Sequence, residues 1–370
     1  MMLLFAAAVL LLLSGFESYY RNHWWQSVRL DLQFGESHVY AGDKVILTEV
    51  LENRKKLPLP LVEAAFRIPK GIWFTDAENL IISDYNYKRD VFSLRGMESV
   101  TRRYEIDCRR RGIYPISQVK AEAASLFYKE RYLLEQAEEE WRGTSDSLLV
   151  YAARTDVSSL VRLCDSVFGE RESRSTYIED PFSFRSIRDY TTRDPMKNIN
   201  WKASAKTGSL MVNTFTSVQA EEFRILLDIE DKNVIRQEEA VENGISVAAS
   251  LCRQLIRAGH PAGLIVNTDP AAVFLPLSGR SRLQEIEQFL TTDFTRTETK
   301  DFVTMAAENV EGDPERRASK GAALPVYILV SKNWREEDSG RFKQTLGKGC
   351  RVLVVIPEAI PGEYRTVVIQ

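Results

Sequence analysis

Charged and polar side chains are concentrated in residues 189–206, whose sequence is DYTTRDPMKNINWKASAK. Neither the period of a half-buried strand nor that of an amphipathic helix requires this mixture of carboxylates, cations, amides and one tryptophan. Polar segments punctuated by proline and anchored by an aromatic residue are typical of loops that carry function. We interpret the segment as a recognition surface beside Asp228. The candidate binding residues are Arg188, Asp194, Asn200, Trp201, Lys202 and Ser204.

A purely structural interpretation of the same segment is the alternative. In that interpretation, Trp201 pins a loop and a short helix to a neighbouring sheet, because a buried indole supplies a large apolar contact area. The two interpretations are compatible, since a binding surface needs a rigid support.

Acidic residues also lie at the end of the apolar run at 223–229, FRILLDI. In sheets of parallel strands, sites form beyond the carboxyl ends of the strands, where we expect Asp228 and Glu230.

Several classes of chemistry lack the residues that they need. The three histidines, His23, His38 and His260, form no Ser-His-Asp or Cys-His arrangement that local spacing supports, so we assign no catalytic residue. The four cysteines contain no C-x-x-C pair, which argues against zinc and favours a reducing compartment. The sequence has no phosphate-binding loop of the G-x-x-x-x-G-K-[ST] type. A net charge of −3 argues against a nucleic-acid partner.

The elements that must position these residues fall into two regions. From 28 to 124, apolar and polar residues alternate in about seven short strands, which predicts an immunoglobulin-like β-sandwich. From 147 to 370, strands and helices alternate and several strands are continuously apolar. This pattern predicts an α/β domain with a doubly wound parallel sheet, covered by helices on both faces. We interpret residues 125–146 as a partly helical connector.

Residues 1–25 contain an apolar run, MLLFAAAVLLLL at 2–13, which predicts a transmembrane anchor. A helix continued through Tyr20 approaches the ~30 Å thickness of the hydrocarbon core. Four aromatic residues would then form an interfacial belt, namely Tyr19, Tyr20, Trp24 and Trp25. A cleaved signal peptide is the alternative, but its basic n-region and its cleavage site are missing. Because basic residues follow the segment, we expect a single-pass cell-membrane protein whose body is cytoplasmic.

Three stretches resemble the domain of unknown function 58 family. They are residues 40–43 (YAGD) with 51–60 (LENRKKLPLP), residues 109–114 (RRRGIY), and residues 187–206, which contain IRDY, DP and INWKASAK. The resemblance implies a membrane-anchored protein with a β-rich region followed by a von Willebrand factor A-like domain. Such domains can hold Mg²⁺ through Asp-x-Ser-x-Ser, and here Asp228, Glu230 and Lys232 occupy the matching positions. The resemblance therefore implies Asp228 and Glu230 as candidate ligands of Mg²⁺, which prefers carboxylate oxygens, whereas the Lys232 ammonium group would compete with the cation because it has donors only. The alternative is a metal-free site in which the carboxylates pair with Lys232 or Lys202.

The resemblance implies a partner more than a reaction. Genes of this family commonly lie beside a gene for a MoxR-type AAA+ ATPase, and often beside genes for transglutaminase-like membrane proteins. We therefore predict a non-enzymatic scaffold or adaptor in a chaperone-like or cell-envelope role. We predict no cofactor apart from the Mg²⁺ alternative. The other functions considered are a divalent-metal-dependent hydrolase and a purely structural cell-envelope protein.

Overall fold

The computed structural model describes residues 2–75, 80–124, 131–134, 147–168, 179–191, 194, 196–217, 222–233, 237–311, 325–346 and 351–369. The chain divides into two compact units. The first contains Met1–Ala153 and Gln288–Asp293, and the second contains Arg154–Glu287 and Phe294–Gln370.

The first unit contains one helix followed by strands. The helix is α1 (Met2–His23). The strands are β1 (Val28–Phe34), β2 (His38–Tyr40), β3 (Lys44–Asn53), β4 (Leu59–Pro69), β5 (Ile72–Phe74), β6 (Leu80–Ile82), β7 (Tyr85–Leu94), β8 (Ser99–Cys108), β9 (Gly112–Pro115), β10 (Ser117–Ala124), β11 (Arg131–Leu134) and β12 (Ser147–Tyr151).

Two antiparallel sheets, ordered β1-β3-β8-β5 and β11-β10-β4-β7-β6, form a β-sandwich, as predicted. Their strands alternate buried and more exposed residues, most regularly in β3 and β7. Side chains at every second position therefore enter one shared core, which includes Leu47, Phe66 and Ile106. A third, three-stranded sheet has the order β2-β12-β9.

Helix α1 is long and apolar enough to cross a membrane over Leu4–His23. Its last turns depart from the predicted aromatic belt. Tyr20 and Trp24 are 0% and 2% exposed and pack in the sandwich core with Leu30 and Leu59. Tyr19 is exposed and stacks on His23. Because apolar area is buried most completely inside a protein core, only part of the aromatic cluster is left for lipid.

The second unit alternates helices and strands. The helices are α2 (Ser158–Phe168), a 3-10 turn (Met196–Asn198), α3 (Trp201–Thr207), α4 (Glu238–Arg257), α5 (Arg280–Phe289), α6 (Phe302–Glu311) and α7 (Glu336–Leu346). The strands are β13 (Glu179–Asp189), β14 (Met211–Ser217), β15 (Phe223–Leu227), β16 (Ala262–Val266), β17 (Ala272–Leu277), β18 (Val326–Val330), β19 (Arg351–Pro357) and β20 (Tyr364–Ile369).

Six of these strands form one sheet in the order β17-β16-β15-β18-β19-β20. The four central strands are parallel to one another. Strands β16 and β18 are buried at every position, and β15 is buried at every position except Arg224. Their continuous apolar sequences reflect cover on both faces: residues of α6 and α7 pack on one set of side chains, and Gly244 of α4 approaches Val330 and Pro357. Both edge strands are antiparallel, so the sheet is mixed, and the predicted parallel arrangement is limited to its four central strands.

The compact division differs from the predicted boundary at residue 147. Strand β12 pairs with β2 and β9 and belongs to the first unit, as do residues 288–293, whose Leu290 and Thr292 carbonyl oxygens accept hydrogen bonds from Arg111. Within the predicted connector, residues 131–134 form strand β11, which pairs with β10. The rest of that connector lies outside the described residues.

Candidate functional site

The polar segment singled out in the sequence is the end of a β-hairpin and its connection. Strands β13 and β14 pair antiparallel, with Asp189 opposite Met211, and Tyr190 N donates to Leu210 O. Between the two strands the chain forms the 3-10 turn and α3. The short helix expected in this segment is α3, and a 3-10 turn precedes it.

Arg188 and Asp194 close that loop through a two-pronged ion pair. The Arg188 guanidinium donates to Oδ2 and Oδ1 of Asp194 at 2.7 and 2.6 Å. The backbone N–H and the hydroxyl of Thr191 donate to Oδ2 at 2.9 and 2.8 Å. Hydrogen bonds from Arg188 and Thr191 hold the pKa of Asp194 well below its ordinary value. Asp194 is thus a carboxylate whose acceptors are engaged by its own loop.

Asn200 and Ser204 attach α3 to the hairpin. Asn200 is the N-cap: its Oδ1 accepts from Ala203 N at 2.9 Å, and its Nδ2 donates to Asn213 Oδ1 at 2.8 Å. Ser204 Oγ donates to Asn200 O and accepts from Met211 N, both at 2.8 Å. These two predicted binding residues are therefore engaged in positioning the helix.

Trp201 opens α3 and is 67% exposed, so it does not pin the segment to a sheet as the structural interpretation expected. Met196, in the 3-10 turn, is 71% exposed. Lys197, Lys202 and Lys206 are exposed on the same short stretch. Of the six predicted binding residues, Trp201 and Lys202 are the ones that present their side chains to solvent without an internal hydrogen-bonding role among the described contacts.

Asp228 lies where the sequence predicted, directly after β15, and is 4% exposed. Its Oδ1 accepts from Asn267 Nδ2 at 2.8 Å and from Glu230 N at 3.0 Å. Its Oδ2 accepts from Ser331 Oγ at 2.6 Å and from Asn333 Nδ2 at 3.0 Å. Each carboxylate oxygen therefore has two protein donors, and a metal ion could bind only by displacing some of them.

The acidic residues that follow Asp228 are paired with lysines. Lys232 Nζ lies 3.4 Å from Glu230 Oε2 and 2.9 Å from Asp301 Oδ1, and Lys332 pairs with Asp231. In the part of the chain that the structure describes, no group of three or more His, Cys, Asp or Glu side chains could hold a metal ion. Glu230 is paired with Lys232, as the metal-free alternative expected, whereas Asp228 accepts hydrogen bonds from uncharged groups only.

Sequence reasoning missed the partners of Asp228. Asn267 follows β16 directly, and Ser331 follows β18. A polar residue immediately after a continuously apolar strand was the available signal, because the carboxyl ends of parallel strands meet at one edge of the sheet. The described hydrogen bonds of Asp228 do not reach residues 188–206, so the two predicted groups of residues are not joined by these bonds.

Comparisons with known proteins place part of the chain in a family. Residues 186–355 match the family model described as "Protein of unknown function DUF58". The uncharacterized protein YeaD of Bacillus subtilis (strain 168) is 26% identical over 241 residues, which are 65% of this chain and 56% of the relative. The chain thus matches little more than half of that relative's length.

Solved structures give weaker likenesses. The CARDB domain of a Pyrococcus furiosus protein, solved with di-metal ions, has a TM-score of 0.23 at 14% identity and covers 33% of this chain and 91% of that domain. A type I cohesin of Pseudobacteroides cellulosolvens has a TM-score of 0.23 at 9% identity and covers 35% of this chain and 96% of the cohesin. TM-scores of 0.23 are too low to indicate a shared fold. The β-sandwich of this chain is defined by its own strand pairing.

Proposed function

We propose that this chain, whose residues 186–355 match the DUF58 family model, is a membrane-anchored scaffold or adaptor that binds a partner protein through the surface around α3. Trp201 carries this proposal. Exposed tryptophans are uncommon on protein surfaces and are enriched among the residues that dominate binding energy at interfaces. In this chain, Trp201 stands 67% exposed on a helix that is fixed at both ends.

The support beneath Trp201 is rigid, which favours binding over a merely solvated loop. Asn200 caps the start of α3, and Gly208, at φ 74°, caps its end with a hydrogen bond to Ser204 O. The Arg188–Asp194 pair fixes the adjoining loop. A preorganised side chain loses little conformational entropy when a partner covers it, so more of the contact energy appears as affinity.

The charge around Trp201 specifies the chemistry of the partner. Residues 196–208, MKNINWKASAKTG, contain three lysines and no acidic residue. An acidic surface with an apolar pocket for the indole fits this stretch by charge and by shape. On the basis of the family resemblance, we propose a MoxR-type AAA+ ATPase as the partner, with a transglutaminase-like membrane protein as a further candidate.

The proposed assignment of the second unit to the von Willebrand factor A-like class is supported by its strand order. Numbered along the chain within the sheet, β17-β16-β15-β18-β19-β20 reads 3-2-1-4-5-6, a doubly wound order that reverses beside the first strand. Asp228 lies at that switch point, but its donors occupy it. This supports protein binding elsewhere on the unit over metal-dependent hydrolysis at Asp228.

The proposed membrane anchor is α1, and the basic residues that follow it indicate its orientation. We propose a single pass through the cell membrane with the two units in the cytoplasm, in accordance with the excess of Lys and Arg after the helix.

The test compares a Trp201→Ala/Lys202→Glu variant with a matched control, Leu275→Ala/Arg296→Glu. Leu275 is 63% exposed and Arg296 is exposed, so the control removes one apolar side chain and reverses one charge on the same unit. The full-length proteins are purified from native membranes in mild detergent, and co-purifying proteins are identified by mass spectrometry. We expect a AAA+ ATPase with wild type and with the control, and its loss with the Trp201 variant.

Other outcomes would support the other functions. Divalent-dependent turnover of a hydrolase substrate that is lost in Asp228→Ala would contradict the adaptor proposal and favour a metal-dependent hydrolase. Failure of any ATPase to co-purify with wild type, together with an envelope defect in cells lacking the protein, would favour a purely structural role.

A further inference from the structure

Three segments of the first unit meet where α1 ends. They are the turn at 24–27 that directly follows the helix, residues 53–58 at the end of β3 and in the β3–β4 loop, and the β7–β8 loop at 95–98. Arg54 N donates to Ser27 O at 2.9 Å, and Lys55 Nζ donates to Trp24 O and, at 2.7 Å, to Gln26 O. The two loops are joined to each other as well: Met97 N donates to Lys55 O at 2.9 Å, and Asn53 Nδ2 donates to Arg95 O at 2.9 Å.

These bonds make the end of α1 part of the sandwich. Tyr20 and Trp24 are buried in its core, and Lys55 donates to carbonyl oxygens of the turn that directly follows the helix. Burial lowers the pKa of Lys55 to about 8, and its donors are engaged by the backbone. The apolar part of the helix, from Leu4 to Phe16, emerges directly from this junction with its large side chains exposed.

The surface around the junction combines cations with one protruding apolar side chain. Arg54, Lys56 and Arg95 are exposed. Arg54 Nη2 lies 2.8 Å from Glu52 Oε2. Met97 is 70% exposed and has a φ of 63°, which bulky residues rarely adopt. A Cβ on the preceding residue, Gly96, would lie 2.3 Å from Lys56 O. The loop is thus packed closely against 55–56 in a conformation that directs Met97 outward.

We propose that this collar, formed by Arg54, Lys56, Arg95 and Met97, docks on anionic phospholipid headgroups of the leaflet from which α1 emerges. The inference rests on the membrane anchoring proposed above and adds a lipid class to it. Because Arg54 and Lys55 are hydrogen-bonded to the turn at 24–27, directly after α1, the collar lies beside the end of the helix that enters the bilayer. Each Lys or Arg at an anionic surface raises the local affinity by roughly fivefold, and an apolar tip adds burial at the headgroup level.

The depth of the collar is measured with a nitroxide at Met97→Cys in the full chain. The background carries Cys350→Ser, while the three buried cysteines, Cys108, Cys164 and Cys252, are kept. The matched label is Lys70→Cys: Lys56 precedes β4 and Lys70 follows it, so the two exposed lysines mark opposite ends of one strand. Proteins are reconstituted in vesicles of phosphatidylcholine alone or with phosphatidylglycerol, and accessibility to oxygen and to a water-soluble nickel chelate is compared.

We expect the label at 97 to favour oxygen over the chelate in vesicles with phosphatidylglycerol, and to shift toward water when Lys56→Glu and Arg95→Glu are added. The label at 70 should stay in water in every vesicle. A label at 97 that is fully accessible to the chelate overturns the proposal. A label at 97 that lies in the interface regardless of lipid charge and of both substitutions also overturns it, since anionic recognition is then absent.

A measurement without a label covers the case in which Met97→Cys perturbs the loop. Native mass spectrometry of the full chain in mild detergent should show phosphatidylglycerol retained in preference to phosphatidylcholine, with roughly 25-fold weaker retention in Lys56→Glu/Arg95→Glu. Lys70→Glu should behave as wild type, and equal loss in that variant contradicts the collar.

Alkaline extraction of the vesicles tests whether α1 anchors the chain, on which the collar depends. Release of wild type from the vesicles overturns the anchor and the collar together. Trp201→Ala/Lys202→Glu should leave the position of the label at 97 unchanged, so a failed ATPase capture does not affect the collar.

Discussion

Tyr104 lies between two carboxyl groups inside the β-sandwich, those of Glu49 and Asp90. Its Oη lies 2.8 Å from Glu49 Oε2 and 2.8 Å from Asp90 Oδ2, yet a phenol has one hydrogen to donate. One of the two carboxyl groups must therefore supply the second hydrogen. Asp90 Oδ1 lies 2.9 Å from Arg102 Nη1 and 3.8 Å from Lys88 Nζ. Glu49 is fully buried, and its Oε1 has no hydrogen-bond partner among the described residues. Glu49 is the protonated member, and Tyr104 donates to Asp90.

This assignment predicts how stability changes with pH. Burial raises the pKa of Glu49 from 4.5 to about 7. The protonated folded state is therefore favoured, and its contribution is complete below pH 4.5 and is lost as the pH rises through 7. The loss amounts to about 3 kcal/mol. Glu49→Gln, which stays neutral, should remove this pH dependence and unfold at higher denaturant concentration than wild type at pH 8.

Chemical denaturation between pH 4.5 and pH 8 measures the effect. Glu105→Gln is the control on the same unit, because Glu105 is an exposed partner of Lys44. A wild-type stability that does not fall across this range would contradict the protonated assignment.

Asp228 gives a second prediction at the residue scale. Asp228→Ala leaves the amides of Asn267 and Asn333 and the hydroxyl of Ser331 without their shared acceptor inside the protein. Unsatisfied buried donors cost free energy, so we expect the second unit to lose about 2–4 kcal/mol in denaturant unfolding. Thermal unfolding with and without Mg²⁺ tests the metal alternative. A rise in wild-type melting temperature with Mg²⁺ that disappears in Asp228→Asn would show that the ion does displace these donors.

At the scale of elements, α3 depends on its caps. The helix has seven residues, too few for independent stability, so its end contacts decide whether it forms. Asn200→Ala removes the side-chain cap and the bond to Asn213, at a cost of about 1 kcal/mol or somewhat more. We expect the amides of residues 201–207 to exchange faster with deuterium while the six-stranded sheet exchanges as in wild type.

Thr207→Ala is the matched control for that experiment, since it removes a hydroxyl from the other end of α3, where the hydroxyl bonds to Ala203 O. Similar exchange in Asn200→Ala and wild type would mean that the N-cap does not hold Trp201 in place. Weaker partner capture by Asn200→Ala, with Trp201 still present, would tie the affinity to the rigidity of the support.

At the scale of the whole molecule, the anchor and the sandwich share a core. A chain beginning at Tyr20 keeps Tyr20 and Trp24, whereas a chain beginning at Ser27 loses both. Removal of a large buried aromatic side chain costs about 3–5 kcal/mol. We expect the longer chain to melt like wild type in calorimetry and the shorter one to unfold at a markedly lower temperature.

Point variants distinguish the loss of the buried aromatic contacts from the effect of shortening the chain. Tyr20→Ala should lower the melting temperature of the first unit, and Tyr19→Ala, which changes a 52% exposed neighbour, should leave it unchanged. Equal effects of the two substitutions would contradict the burial of the helix end.

The sequence by itself determined the features that depend on local pattern. Alternation with period two predicted the sandwich strands, and continuous apolar runs predicted β15, β16 and β18, because burial on one or both faces is written into neighbouring residues. The same holds for the apolar helix α1 and for the family segment at 187–206, which is read residue by residue.

Only the tertiary structure decided which distant groups meet. Asp228 takes three of its four donors from residues 39, 103 and 105 positions away, and the sequence pattern of FRILLDI contains no information about these three. The burial of Tyr20 and Trp24, the antiparallel edges of the six-stranded sheet and the exposure of Trp201 were also decided at this level. An aromatic or polar residue has the same local pattern whether it faces lipid, core or solvent, and the packing of remote elements makes that choice.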